Sequence, residues 1–141
     1  MMVTFAIIAA IAEALVRAQS SDVQAMCAAQ AQASFQQLGR EYTNVLESLT
    51  IPFRIVTTDY RAHYSGKVDR CLFLLHKTVV VMHEQSDISY LLDADNRQMY
   101  ALYVDRGGKM ESCQLIPSIA ETTDCKDRGE FDAFVAQYLE R

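Results

Sequence analysis

The chain is expected to fold as α+β: an N-terminal helix, an antiparallel β-meander of about four to five strands, and a C-terminal amphipathic helix. Three observations carry this. Arg70 to His83 (RCLFLLHKTVVVMH) is the longest β-biased run, with Val79, Val80 and Val81 β-branched and Phe73 aromatic; such residues suit a pleated, buried surface better than a helix. Phe131, Phe134, Val135, Tyr138 and Leu139 recur at i, i+3, i+4, i+7 and i+8, which makes one helix face. Between them, short alternating runs are broken by turn residues.

With 141 residues there is room for one domain. Half the residues are apolar and 22% are charged, a folded composition. The net charge of −5 gives no electrostatic reason to bind nucleic acid or an anionic membrane, and no run of Lys or Arg makes a local basic patch.

Phe5 to Ala12 (FAIIAAIA) is too short to span a bilayer, which takes about 20 residues. It fits the apolar core of a secretory leader, and Val16-Arg17-Ala18 places small residues for cleavage after Ala18. The expected division is a leader at 1–18 and a single domain at 19–141, with no stable membrane span. Glu13 and Arg17 cancel, so the mature chain keeps the charge of −5. No basic residue precedes the apolar run and Glu13 follows it; the competing reading is an amphipathic first helix of a cytosolic protein. Gln24-Ala25-Met26 before Cys27 lacks the residues of a lipoprotein site.

Ser20, Ser21 and Asp22 can each cap a helix. Its buried stripe is Val23, Cys27, Ala31, Phe35 and Leu38, and Gly39 is the expected C-cap. Tyr42, Val45, Leu46 and Leu49 allow a second short helix that stops before Pro52. Ile55 to Tyr64 reads as a strand and Ser65-Gly66-Lys67 as a turn. The Arg70 run is one central strand, or two joined near Lys77 and Thr78. Further strands are expected within Asp87–Leu92, Met99–Val104 and Met110–Ile116, the last closed by Pro117. Asp93 to Arg97 connects two of them, and Asp105 to Lys109 is the clearest hairpin turn. Asp127 with Glu130 makes a capping-box-like start for the last helix. Both helices are expected on one face of the sheet.

The four cysteines, Cys27, Cys71, Cys113 and Cys125, are even in number, with no C-x-x-C pair. In an exported chain they imply two disulfides, and Cys27–Cys71 with Cys113–Cys125 is the favoured pairing of three. Four buried free thiols are the alternative for a cytosolic chain.

The helix segment CAAQA from Cys27, the stretch HYSGKVDRCLF from His63 to Phe73 and the stretch CKDRGEFDAFVAQYL from Cys125 to Leu139 together carry a resemblance. They resemble a loosely defined group of small exported bacterial proteins of unknown function, with a departure at Ser65, where that group commonly has Asn. The resemblance implies architecture and export, and implies no site.

Sites of chemistry are sparse. The histidines are His63, His76 and His83. On one continuous strand His76 and His83 would face opposite sides and share no metal. Asp93-Ala94-Asp95 opens like a calcium loop, but Gln98 and Val104 stand where Gly and Glu are needed. No G-x-S-x-G, H-E-x-x-H or phosphate-loop motif occurs. No catalytic residue, metal site or cofactor is expected. His63, Tyr64, Tyr100 and Tyr103 are the candidate binding residues; Tyr100 and Tyr103 would lie on opposite faces of a strand, leaving one available to a partner. The leading expectation is a non-catalytic binding module, periplasmic or secreted, whose partner is another envelope or secreted protein. The alternatives are a minor hydrolase pairing His63 with Asp59 or Asp69, and a structural envelope component.

Overall fold

The computed structural model describes residues 3–140, the side chains of residues 3–12, 14–16 and 18 excepted. The leader expected at 1–18 falls largely outside the described side chains; its helical backbone from Val3 and the exposed side chains of Glu13 and Arg17 are described. The order is α1 (Val3–Ser48), β1 (Phe53–Ser65), β2 (Arg70–Val81), β3 (Glu84–Asp93), β4 (Met99–Arg106), β5 (Lys109–Ser118), β6 (Glu121–Asp124) and α2 (Arg128–Leu139). The class is α+β, with every neighbouring strand pair antiparallel and the strand order equal to the chain order.

α1 runs unbroken through Ser20–Asp22, where a start was expected, and through Gly39, where a stop was expected. A glycine inside a helix costs only about 1 kcal/mol relative to alanine. Docking on both sides of Gly39 outweighs that: Cys27, Ala31 and Leu46 are buried, and the Ser34 hydroxyl donates to the Ala94 carbonyl. The helix ends where Thr50 turns left-handed, φ 52°, just before Pro52.

The sheet has six strands, one more than the upper expectation. The addition is β6, Glu-Thr-Thr-Asp, exposed throughout and without apolar alternation. Covalent tethering holds it: Cys125, which follows it directly, is bonded to Cys113 on β5 and donates its N–H to the Cys113 carbonyl at 3.0 Å. β5 also continues past Pro117 to Ser118, with an irregular ladder between Leu115 and Ser118, where the proline has no N–H to give.

β2 is one strand through Lys77 and Thr78 and stops at Val81. Met82 and His83 then make a two-residue turn with φ 50° and 72°, closed by the pair Val81↔Glu84. His83 therefore sits in a turn and not on the strand with His76, so strand parity does not relate the two.

The helices lie on opposite faces of the sheet, which corrects the one-face expectation. Cys71, Phe73 and Leu75 of β2 pack with Cys27 and Ala31 of α1, whereas Leu72 packs with Phe131 and Val135 of α2. A strand apolar on both faces needs cover on both. α2 starts as its sequence indicates: Asp127 Oδ1 accepts the Glu130 N–H at 2.9 Å, and Glu130 Oε2 accepts the Lys126 N–H at 2.7 Å. Phe131, Val135, Tyr138 and Leu139 are its buried face.

Candidate functional site

The four cysteines form the expected disulfides, Cys27–Cys71 with Cα atoms 5.2 Å apart and Cys113–Cys125 with Cα atoms 5.1 Å apart. The first fixes α1 to the start of β2, the strand next to the sheet edge. Close by, the Gln24 side chain bonds to both backbone groups of Tyr64 on the edge strand, accepting its N–H at 3.0 Å and donating to its carbonyl at 3.3 Å. One helix is thus pinned across β1 and β2.

The residues singled out for binding do not converge. His63 stands on β1 opposite Leu72 of β2. Tyr64 faces the α1 side and its hydroxyl donates to Asp69, which raises the tyrosine pKa above its usual value. Tyr100 and Tyr103 are each 7% exposed and share one core. Tyr100 packs on Tyr138 at 5.7 Å, and Tyr103 on Phe131 at 5.6 Å with the Arg128 guanidinium over its ring. Their odd separation does not put them on opposite faces, because the β3–β4 register slips at Tyr100: Leu91 pairs with Ala101 and Leu92 with Met99.

The two carboxylates named beside His63 also have other neighbours. Asp59 Oδ1 lies 3.8 Å from His76 Nδ1, and Asp69 accepts from Tyr64. His76 Nε2 faces Asp87 Oδ1 at 4.0 Å, and Asp87 also accepts from the Thr78 hydroxyl. Asp93, the first residue of the calcium-like sequence, builds the β3–β4 connection instead: its Oδ1 accepts the N–H groups of Asp95 and Asn96 at 2.7 and 3.3 Å. Among the described residues no group of three or more His, Cys, Asp or Glu gathers as a metal site, and no helix is long and apolar enough to cross a membrane.

What the fold does build is a groove on the α1 side of the sheet. α1 packs on β1 and β2, so the face of β3 and β4 beyond it is covered only in part. Leu38, Tyr42 and Val45 descend from one stripe of α1; Leu75 and Lys77 rise from β2, Tyr90 and Leu92 from β3, and Met99 from β4. The cavity holds about 360 Å³, within the range of small-molecule sites. Its rim carries one closed ion pair, Arg97 Nη1 to Glu41 Oε2 at 2.8 Å, and Glu41 also accepts from Gln37 at 3.0 Å.

At the floor lies Lys77, 3% exposed, with its ammonium 3.5 Å from the centre of the Tyr42 ring. Loss of solvent lowers its pKa from 10.5 to about 8. Burial raises the pKa of Tyr42, and burial together with Tyr42 raises that of Tyr90, so both phenols stay neutral near pH 7. Sequence reasoning treated Lys77 only as a possible joint between strands. The signal that locates it is parity: counting by twos from Phe73 and Leu75 to Val79 puts Lys77 on a core-facing row.

Compared with protein-family models, curated proteins and solved structures, the chain matches none of them.

Proposed function

We propose that the protein is a small exported binding protein, periplasmic or secreted, that holds its ligand without transforming it. The observation that carries this reading is the groove between α1 and the sheet: apolar, open at one side, and backed by a helix that a disulfide keeps in place. Two disulfides and no free cysteine among the described residues favour an oxidising compartment. The leader-like run at Phe5 to Ala12 and the resemblance to exported bacterial proteins point the same way. A protein partner was the first expectation; the volume and lining of the groove favour a small ligand with an apolar body.

Two measurements test this. The intact mass from the native host, alkylated without reduction, is expected to lack residues 1–18 and to carry no alkyl group; a full-length mass with four alkyl groups overturns export. The neutral dye Nile red is expected to brighten on the native protein and not on Val45→Glu. Val45 lines the groove but is 58% exposed, so the charge fills the groove without entering the core. Equal brightening of both proteins, or none with either, overturns the groove as the binding site.

A further inference from the structure

We infer that the groove selects an anionic amphiphile, a molecule with an apolar body and a carboxylate that seats on the Lys77 ammonium. This rests on the groove being the binding site and names what it would choose.

The inference begins with an imbalance of charge. A lysine ammonium has three N–H donors and loses its hydration when buried. Among the described residues, the Lys77 ammonium makes one polar contact, the face of the Tyr42 ring. A ring face attracts a cation but accepts no conventional hydrogen bond in the way an oxygen does. The carboxylate on the groove, Glu41, is already committed to Arg97 and Gln37 at the rim. Lys77 also reaches a second opening on the β1 side of α1, bordered by Arg40, Glu47 and Thr58. Glu47 is exposed there and forms no ion pair with the lysine. The floor of the groove therefore presents positive charge with unfilled donors inside an apolar lining.

A purely apolar ligand would deepen that imbalance by removing the last water from the ammonium. A cationic one would be repelled. A carboxylate supplies the missing acceptor, and a charge-assisted hydrogen bond in a dry site is among the stronger ones. Leu38, Val45, Leu92 and Met99 would then cover the apolar body. The lowered pKa of Lys77 is consistent with this arrangement, since an arriving anion restores the conditions an ammonium needs.

The test compares two probes with the same ten-carbon body, decanoate and decanol, by calorimetry at pH 7 with the disulfide-bonded protein. Decanoate is expected to bind the native protein more tightly than decanol, and Lys77→Met to lose about ten- to a hundredfold in decanoate affinity while keeping decanol. Lys77→Met replaces a buried cation by an apolar chain of similar length, so it should fold; a thermal melt confirms this. Decanoate affinity should also fall as pH rises above about 8, where the free lysine loses its proton. The groups facing Lys77 are the phenols of Tyr42 and Tyr90, both held neutral by burial, and the charged side chains of Arg40, Glu41, Glu47 and Arg97. Equal binding of the two probes, or undiminished decanoate binding by Lys77→Met, overturns the charge selection and leaves the groove standing. Failure of both probes to bind the native protein overturns both.

Discussion

The ammonium of Lys77 on β2 rests on the ring of Tyr42 on α1, 3.5 Å from its centre, at the point where the helix crosses the sheet. This one contact joins the two layers that form the groove and supplies the only polar partner the lysine has among the described residues. Its energetic consequences are measurable.

Lys77 lowers the stability of the empty protein. Its folded pKa, about 8, lies below the 10.5 of a free lysine. Between those values the unfolded chain holds the proton more tightly, so stability rises with pH across that window, and below pH 8 the burial cost is fully present. Lys77→Met should stabilise the protein by about 1–3 kcal/mol at pH 7, and the gain should shrink between pH 8 and 10.5. Urea denaturation at several pH values checks both statements.

Tyr42 should support the lysine charge through its ring and not its hydroxyl. Tyr42→Phe is expected to leave the Lys77 pKa near its present value. Tyr42→Leu should lower it further, by about half to one and a half pH units, the equivalent of a cation–π contact. An NMR titration of the Lys77 side chain separates the two variants; an identical fall in both would assign the effect to the hydroxyl.

The two disulfides should contribute unequally. Their partners are 44 and 12 residues apart. Loop-closure entropy gives about 4 kcal/mol for the longer and about 3 kcal/mol for the shorter. Replacing Cys27 and Cys71 by serine should therefore cost more than replacing Cys113 and Cys125. The second change should also release β6, which has no apolar side to hold it, and protease cleavage near Glu121–Asp124 would report that.

The β2–β3 turn is strained. Met82 and His83 both have positive φ, a conformation that costs residues with a Cβ roughly 1 kcal/mol or more each. Replacing the pair by Asn-Gly should stabilise the protein by about 1 kcal/mol, since those residues suit such a turn. An unchanged denaturation midpoint would mean that the turn is held by contacts of the native side chains.

The parts of this fold that were legible are those where local and global signals agree. Arg70 to Val81 declares itself by β-branched residues on both faces, and α2 by a cap and an apolar stripe. The disulfide pairing followed from the elements each bond would join. Other features depend on tertiary context that no local window contains. Gly39 reads as a stop, yet packing around Ser34 and Leu46 carries α1 through it. β6 has no strand pattern and exists because Cys125 is tethered to Cys113. Tyr100 changes side through a bulge that depends on register with β3. Lys77, the centre of the candidate site, was visible by parity, but a lysine in an apolar run was read as a possible break in the strand and not as a buried charge.

The two disulfides join the first cysteine to the second and the third to the fourth, with neither loop enclosing the other. In a chain delivered N-terminus first, an oxidant that links cysteines in their order of arrival makes both native bonds. The first can close once β2 has emerged, while β3 to β6 and α2 are still to come, and each later strand finds its partner already made because strand order follows chain order. Maturation of this protein should need an oxidase but no disulfide isomerase, and its yield in a host lacking isomerase activity should match that in an intact one.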